Sequence, residues 1–322
     1  RGRLAAPAAR ATLYYDFGAG IRFPADDLGP ILRAVIWALV ILAASLPSVP
    51  PDPPGSAIAI EDPGGRALLP FYASLRRTEG RIQKTRVLFF GASHTAADLL
   101  TGRVRDNLQA RFGDGGHGFF MPAKPYKSYR KQHLIFESPK REKDRWTWEF
   151  VRIKAPPRPD GLYGLAGMAI TATEKTQWSR FRLTEDGEIG TKASRIEFWY
   201  ERQPAGGEAV LSIAGQRRRH KFSTKGPPGV GIAEVGLPEG SRAFELVPRG
   251  KGPVRLYGAV LEREAPGVVL DNLGINGAKA SAQLAWNEDL WTRLVRRRNP
   301  SLVVLAYGTN ESADETLAIA DY

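Results

Sequence analysis

The chain has 322 residues, 43% of them hydrophobic, and a formal charge of +12 at pH 7. This length allows about two domains with a buried core, which excludes a disordered chain as the default. Cysteine is absent, which excludes disulfides, thiolate metal sites and a cysteine nucleophile. The positive charge favours an anionic partner: an acidic glycan, a bacterial wall, a membrane surface or nucleic acid.

The N-terminal part has the composition of an export segment followed by a linker. Residues 1–30 receive no fold assignment. Residues 31–46 contain the apolar run Ala34–Ala44, which suits a signal peptide or membrane anchor better than a full membrane span. A buried core helix is the alternative, but the proline-rich stretch 47–66 is typical of an extended linker. We therefore predict an exported protein of the periplasm or cell envelope, with anchoring to the inner membrane through residues 31–46 as one option.

Two segments, 67–125 and 266–322, have the pattern of a parallel α/β fold. Uninterrupted apolar runs that predict buried strands occupy residues 86–90, 268–272 and 301–306. Helical spacing of apolar residues covers residues 95–112 and 278–297. Each predicted strand ends in a turn of small residues, and in an open parallel sheet such turns meet at one edge.

Residues 126–265 have a different pattern, typical of an antiparallel β-sandwich. The predicted strands are 134–137, 146–153, 166–173, 178–183, 195–200, 210–213, 220–223, 243–247 and 254–261. From Pro125 to Ala265 there are 26 Lys plus Arg and 17 Asp plus Glu, a surplus of nine positive charges (26 − 17). An α/β domain interrupted by a basic β-domain is therefore expected.

The three turns after the parallel strands supply candidate catalytic groups. Ser93 follows the first strand at the predicted start of a helix, where N–H groups favour a developing negative charge. The alternative is that Ser93 or Thr95 only caps the helix. Gly277 in the second turn and the Asn310 carboxamide in the third can donate to an oxyanion.

Together these turns resemble the first three sequence blocks of the SGNH, or GDSL-type, hydrolases. The matching residues are Gly91-Ala92-Ser93-His94, Asn272 through Gly277, and Gly308-Thr309-Asn310-Glu311. The resemblance implies an SGNH-type, flavodoxin-like parallel sheet with Ser93 as nucleophile and Gly277 and Asn310 as the oxyanion hole. His94, the stretch 113–119 and the inserted β-domain are most similar to peptidoglycan O-acetylesterases, in which the insert resembles a carbohydrate-binding module.

The sequence departs from that family at two points. Ala92 stands where the family has an aspartate, and an Asp-x-x-His block for the general base is absent from these 322 residues. A serine nucleophile needs such a base. Asp114 and His117 have the right spacing but lie in the loop after the first predicted helix, so we interpret them as structural. His133 and His220 fall in predicted strands, and no metal site can be assembled from these histidines.

These features predict a serine esterase without cofactor or metal that removes O-acetyl groups from a polysaccharide such as peptidoglycan. His94, Trp178 and Trp199 are candidate substrate contacts. The run Arg217–Arg219 is interpreted as a solvated hairpin turn, and no nucleic-acid partner is expected. Two alternatives stay open: a polysaccharide O-acetyltransferase using the same site, and a non-catalytic glycan-binding protein on a degenerate SGNH scaffold.

Overall fold

A computed structural model describes residues 14–16, 22–24, 60–139, 148–153, 158–316, 318 and 320. It divides the chain into two units, residues 1–63 and 64–322. In the first unit, strands β1 (Tyr14–Asp16) and β2 (Arg22–Pro24) form an antiparallel hairpin. The predicted signal or anchor, residues 31–46, lies outside the described residues. No helix of the described part of the chain is long and apolar enough to cross a membrane.

The second unit contains a parallel sheet of three strands, in the order β15-β3-β16. Strand β3 (Thr85–Gly91) is central, β15 (Val268–Gly274) is buried along its whole length, and β16 (Leu302–Ala306) pairs with the other side of β3. The prediction of a parallel sheet from three separated apolar runs is thus confirmed.

Four α-helices accompany these strands among the described residues: α1 (Leu69–Glu79), α2 (Ser93–Ala96), α3 (Leu100–Phe112) and α4 (Glu288–Arg298). The single helix predicted over residues 95–112 is wrong, because Asp98 adopts φ +55° and separates α2 from α3. The helix predicted over residues 278–297 is also divided. A 3₁₀ helix covers Ala280–Ala285, and Asn287 then caps α4 by accepting a hydrogen bond from the Leu290 N–H at 3.0 Å.

Strands between residues 118 and 262 form two antiparallel sheets. The five-stranded sheet has the order β11-β10-β13-β8-β5, and the six-stranded sheet has the order β12-β9-β14-β7-β6 with β4 added to β14. Their strands are β4 (Gly118–Phe120), β5 (Leu134–Glu137), β6 (Glu149–Arg152), β7 (Met168–Ala172), β8 (Ser179–Leu183), β9 (Arg195–Arg202), β10 (Glu208–Ile213), β11 (Arg219–Ser223), β12 (Gly229–Gly236), β13 (Ala243–Pro248) and β14 (Val254–Glu262).

Aromatic rings fill the space between the two antiparallel sheets. Phe181 of β8 contacts Phe120 of β4 at a centroid distance of 5.2 Å, and Phe222 of β11 stacks on Phe198 of β9 at 5.4 Å. Strand β4 pairs with β14, so the segment 67–125, predicted to belong to the α/β domain, contributes a strand to the six-stranded antiparallel sheet. Residues 64–322 form one compact unit.

A buried ion cluster joins the antiparallel part to the parallel sheet. The Arg298 guanidinium, at the end of α4, donates to Asp271 of β15 at 2.6 Å and to Glu262 of β14 at 2.8 Å. Glu262 also accepts from Arg86 of β3 at 2.9 Å. Both carboxylate side chains are fully buried. Burial opposes the charged form, but hydrogen bonds from Arg86 and the charge of Arg298 hold the pKa of Glu262 well below its usual value.

Candidate active site

The three predicted site loops begin at one row of register-paired residues, one on each of the three parallel strands. Gly91 at the end of β3 is the register partner of both Gly274 on β15 and Ala306 on β16. Ser93 lies two residues beyond this row and Gly277 three residues beyond it. Since the strands are parallel, all three loops leave the same carboxyl edge, which is where ligands bind in open α/β sheets.

Direct hydrogen bonds join the first two loops. The Ile275 N–H donates to the Gly91 carbonyl oxygen at 2.9 Å. Gly277 has φ +71°, a left-handed conformation that glycine adopts without strain. The backbone two residues before Gly277 is therefore fixed to the end of β3, two residues before Ser93.

The second and third loops are also joined. The Asn310 Nδ2 donates to the Ala278 carbonyl oxygen at 2.8 Å. The Glu311 carboxylate accepts from the Ala280 N–H at 2.5 Å and the Gly308 N–H at 2.9 Å. Although burial opposes ionisation, these backbone donors keep the pKa of Glu311 below its usual value. The bond to Ala278 orients the Asn310 carboxamide and uses one of the two hydrogens on its nitrogen.

Ser93 is the first residue of α2, and its side chain is exposed. The N-cap position belongs to Ala92, which has no side chain able to cap. The alternative that Ser93 or Thr95 caps the helix is therefore wrong: Ser93 is inside the helix and Thr95 is two residues further on. His94 is exposed beside Ser93. An exposed hydroxyl at a sheet edge is free to meet a substrate.

A buried polar cluster lies behind Ser93, and the sequence patterns did not reveal it. Its centre is the Asp98 carboxylate, which accepts hydrogen bonds from Thr101 Oγ1 (2.7 Å), the Gln132 N–H (2.7 Å) and Asn272 Nδ2 (2.8 Å). Burial opposes its ionisation, but Arg105, with a guanidinium nitrogen 3.3 Å away, brings the pKa of Asp98 well below its usual value.

Lys131 completes this cluster from the segment that enters the antiparallel part. It is 6% exposed, and its Nζ donates to both the backbone oxygen (2.7 Å) and Oδ1 (2.8 Å) of Asn272. Burial lowers the pKa of Lys131 to about 8. Lys131 was not predicted, because a single lysine in a mixed polar segment has no pattern that distinguishes it from a surface lysine.

The other histidines occupy structural positions. His117 is buried, its Nε2 lies 2.9 Å from the Gln132 carbonyl oxygen, and burial lowers its pKa well below the usual value. His133 lies 3.0 Å from Asp106 on α3, and His220 is half-buried on β11. Across the described part of the chain, no group of three or more histidine and acidic side chains is arranged to hold a metal ion.

The two tryptophans predicted to contact substrate have different positions. Trp199 is completely buried, with its ring 6.0 Å from Phe119 and its Nε1 donating to Glu197 at 2.9 Å. The prediction that Trp199 contacts substrate is wrong, because this ring belongs to the core of the six-stranded sheet. Trp178 is half-buried directly before β8, with the Arg180 guanidinium 4.6 Å from its ring centre.

Comparison with known proteins identifies the fold. No family model matches the chain, and no curated protein matches it. A solved structure of a peptidoglycan O-acetylesterase superposes with a TM-score of 0.61 at 23% sequence identity. The match covers 78% of this chain and 64% of that one, so the chain spans less than two thirds of the solved protein.

Two carbohydrate-binding modules are more distant. The module from Cellvibrio mixtus lichenase 5A, solved with cellotriose, has a TM-score of 0.23 at 13% identity and covers 44% of this chain and 95% of its own. The module TmCBM61, solved with β-1,4-galactotriose, has a TM-score of 0.26 at 18% identity over 41% and 90%. Over 78% of its length, the chain has a fold similar to that of a solved peptidoglycan O-acetylesterase.

Proposed function

We propose that this protein is an exported SGNH-type serine esterase that removes O-acetyl groups from a cell-wall or other polysaccharide, with peptidoglycan as the first candidate. The observation that carries the proposal is the shared row of Gly91, Gly274 and Ala306, which brings the loops of the exposed Ser93, Gly277 and Asn310 to one sheet edge. The fold shared with a peptidoglycan O-acetylesterase supports it.

In the proposed reaction the Ser93 Oγ attacks the acetyl carbonyl carbon while a base takes the hydroxyl proton. The carbonyl oxygen becomes an oxyanion, which accepts hydrogen bonds from the Gly277 N–H and the second Asn310 Nδ2 hydrogen. The intermediate collapses, the sugar oxygen leaves with the proton, and water then releases acetate from Ser93. The base is the Asp/His pair that the family resemblance implies and that these 322 residues lack.

The substrate contacts form a separate part of the proposal. We assign His94 to the rim of the site because it is exposed directly beside Ser93. Residues 126–265 would form an inserted sandwich that binds the polysaccharide, for which the surplus of nine positive charges suits an acidic wall polymer. Trp178, directly before β8, is a half-buried aromatic side chain, although the Arg180 guanidinium already lies over its ring.

The experiment is acetate release from O-acetylated peptidoglycan by the full natural protein. We expect Ser93→Ala to abolish release, whereas Ser223→Ala, the same change at an exposed hydroxyl on β11, leaves it intact. Full activity in Ser93→Ala would refute the nucleophile. Mass spectrometry of an added acceptor sugar separates hydrolysis from acetyl transfer, and sequencing the N-terminus of the mature protein tests export and cleavage.

A further inference from the structure

Lys131 is a buried lysine close to the candidate site, and lysine is seldom buried without a charged partner. Lys131 forms no salt bridge with any carboxylate in the described part of the chain; its ammonium is held by two oxygens of one residue, Asn272. The Tyr129 ring lies 5.6 Å from the same nitrogen. Removing an ammonium group from water costs several kcal/mol, and hydrogen bonds repay this cost only in good geometry. Stability therefore gives little reason for a lysine here.

Asn272 connects the two loops that the proposed reaction needs. On one side its Nδ2 donates to the carbonyl oxygen of Thr95, in the helix of Ser93, at 2.5 Å. On the other side its Oδ1 accepts from the Gly274 N–H, three residues before Gly277, at 3.2 Å. The orientation of this single amide thus relates the nucleophile helix to the oxyanion loop.

Lys131 is one of the groups that fix which way that amide faces, together with Thr95, Asp98 and the Gly274 N–H. An ammonium group only donates hydrogen bonds, so the amide atom beside it has to be the oxygen. The Asn272 nitrogen then faces the Thr95 carbonyl and the Asp98 carboxylate, both of which only accept. The reversed amide would place donor against donor at Lys131 and acceptor against acceptor at Thr95 and Asp98.

We propose that Lys131 is a positioning residue, which orients the Asn272 amide and so sets the Ser93 helix against the Gly277 loop. This inference rests on the proposed esterase function. Lys131 comes from the segment that leads into the antiparallel sheets, so the insert itself contributes to the geometry of the site. A displacement of about 1 Å at a reacting group costs about 100-fold in rate, and that is the effect expected when Lys131 is lost.

The test is a double-mutant cycle in the full natural protein with p-nitrophenyl acetate as the probe. Lys131→Met should lower kcat about 100-fold with KM changed by less than about two-fold, because geometry and not binding is lost. In an Asn272→Ala background the same change should have almost no further effect, because Lys131 acts through that amide. Lys192→Met removes an exposed lysine of the insert and should behave as wild type.

Two results would overturn the inference: kcat unchanged in Lys131→Met, or the full loss repeated in the Asn272→Ala background. If circular dichroism shows Lys131→Met to be unfolded, Lys131→Gln, a shorter neutral donor, takes its place in the same cycle. The Ser93→Ala variant distinguishes failure of this inference from failure of the proposed esterase function. If Ser93→Ala still turns over the probe, the esterase site itself is refuted. If Ser93→Ala is inactive but Lys131→Met has wild-type turnover, only the positioning role is refuted.

Discussion

Gly91 and Gly274 face each other as register partners at the ends of two parallel strands. A Cβ on Gly91 would lie 2.2 Å from Thr95 Oγ1 and 2.8 Å from the Ala306 carbonyl oxygen. A Cβ on Gly274 would lie 2.2 Å from the Ala96 N. The absence of both side chains therefore allows the helix that begins at Ser93 to lie directly over the strand ends.

Gly274→Ala should damage both stability and catalysis. The new methyl group would meet backbone atoms of α2, which cannot move aside as a flexible side chain can. Overpacking of this kind costs about 1–3 kcal/mol, and the displaced helix contains Ser93. Urea unfolding and acetate release measure the two effects. Gly236→Ala at the end of β12 is the matched control, since a Cβ there meets nothing within 4 Å. Equal stability of the two variants would contradict the close approach.

Asn310→Ala should lower kcat with little effect on folding. Loss of one oxyanion donor costs about 100- to 1000-fold in kcat, whereas the hydrogen bond to Ala278 is worth about 1 kcal/mol. Steady-state kinetics on p-nitrophenyl acetate give the first value and thermal melting gives the second. Asn107→Ala makes the same change at an exposed position of α3. A kcat for Asn310→Ala equal to that of Asn107→Ala would remove Asn310 from the oxyanion hole.

Local patterns predicted the strands well where apolar residues alternate or run together. Strand β5 lies at its predicted residues, and most other strand ends differ by one or two positions. Strand β12 was missed because it is rich in glycine, which normally weakens a strand. Here Gly231 is required: a Cβ would lie 2.1 Å from the ring of Tyr200 on β9. Contacts between neighbouring strands cannot be inferred from one segment.

The candidate site was predictable only for residues in turns after buried strands. Ser93, Gly277 and Asn310 follow such strands, so their convergence could be anticipated from the order of elements. The roles of Lys131 and Asp98 depend on hydrogen bonds between segments that are distant in the sequence, and so does the break between α2 and α3. The spacing of residues within one segment gives no signal for such contacts. Trp199 was misplaced for the same reason, since an aromatic residue in a strand can face either side of the sheet.

Arg298→Met should destabilise the protein strongly. It would leave the buried carboxylates of Asp271 and Glu262 without their shared partner, and breaking a buried ion pair costs about 3–5 kcal/mol. Urea unfolding measures the loss. Arg296→Met, on the exposed side of the same helix, should change the free energy of unfolding by less than about 0.5 kcal/mol. Similar small effects for both variants would show that the cluster does not hold the two parts of the unit together.

The pH dependence of stability should reveal Lys131 through its pKa. Burial lowers that pKa from 10.5 to about 8. The titratable and charged groups that interact with its ammonium are Asp98, Arg105, His117, Tyr129 and Asp271. The pKa values of Asp98 and His117 lie below this range and that of Tyr129 lies above it. Between pH 8 and 10.5 the lysine therefore loses its proton in the folded chain before it does in the unfolded chain. Tyr129 has the opposite effect near pH 10, because burial raises its pKa above the ordinary value of 10.0, but it is present in both wild type and Lys131→Met.

Within that range the unfolded chain keeps a proton on Lys131 that the folded chain has lost. The contribution of Lys131 to the free energy of unfolding then rises with pH, by at most about 1.4 kcal/mol per unit. Wild type should thus gain stability relative to Lys131→Met when the pH is raised from 7 to 10, because the cost of the buried charge is present below pH 8 and disappears above 10.5. Urea unfolding of both proteins at the two pH values measures this difference, with Lys192→Met as the control that follows wild type. If the difference in free energy of unfolding between wild type and Lys131→Met were the same at both pH values, the ammonium would not be desolvated. A buried cation would then not be available to orient the Asn272 amide.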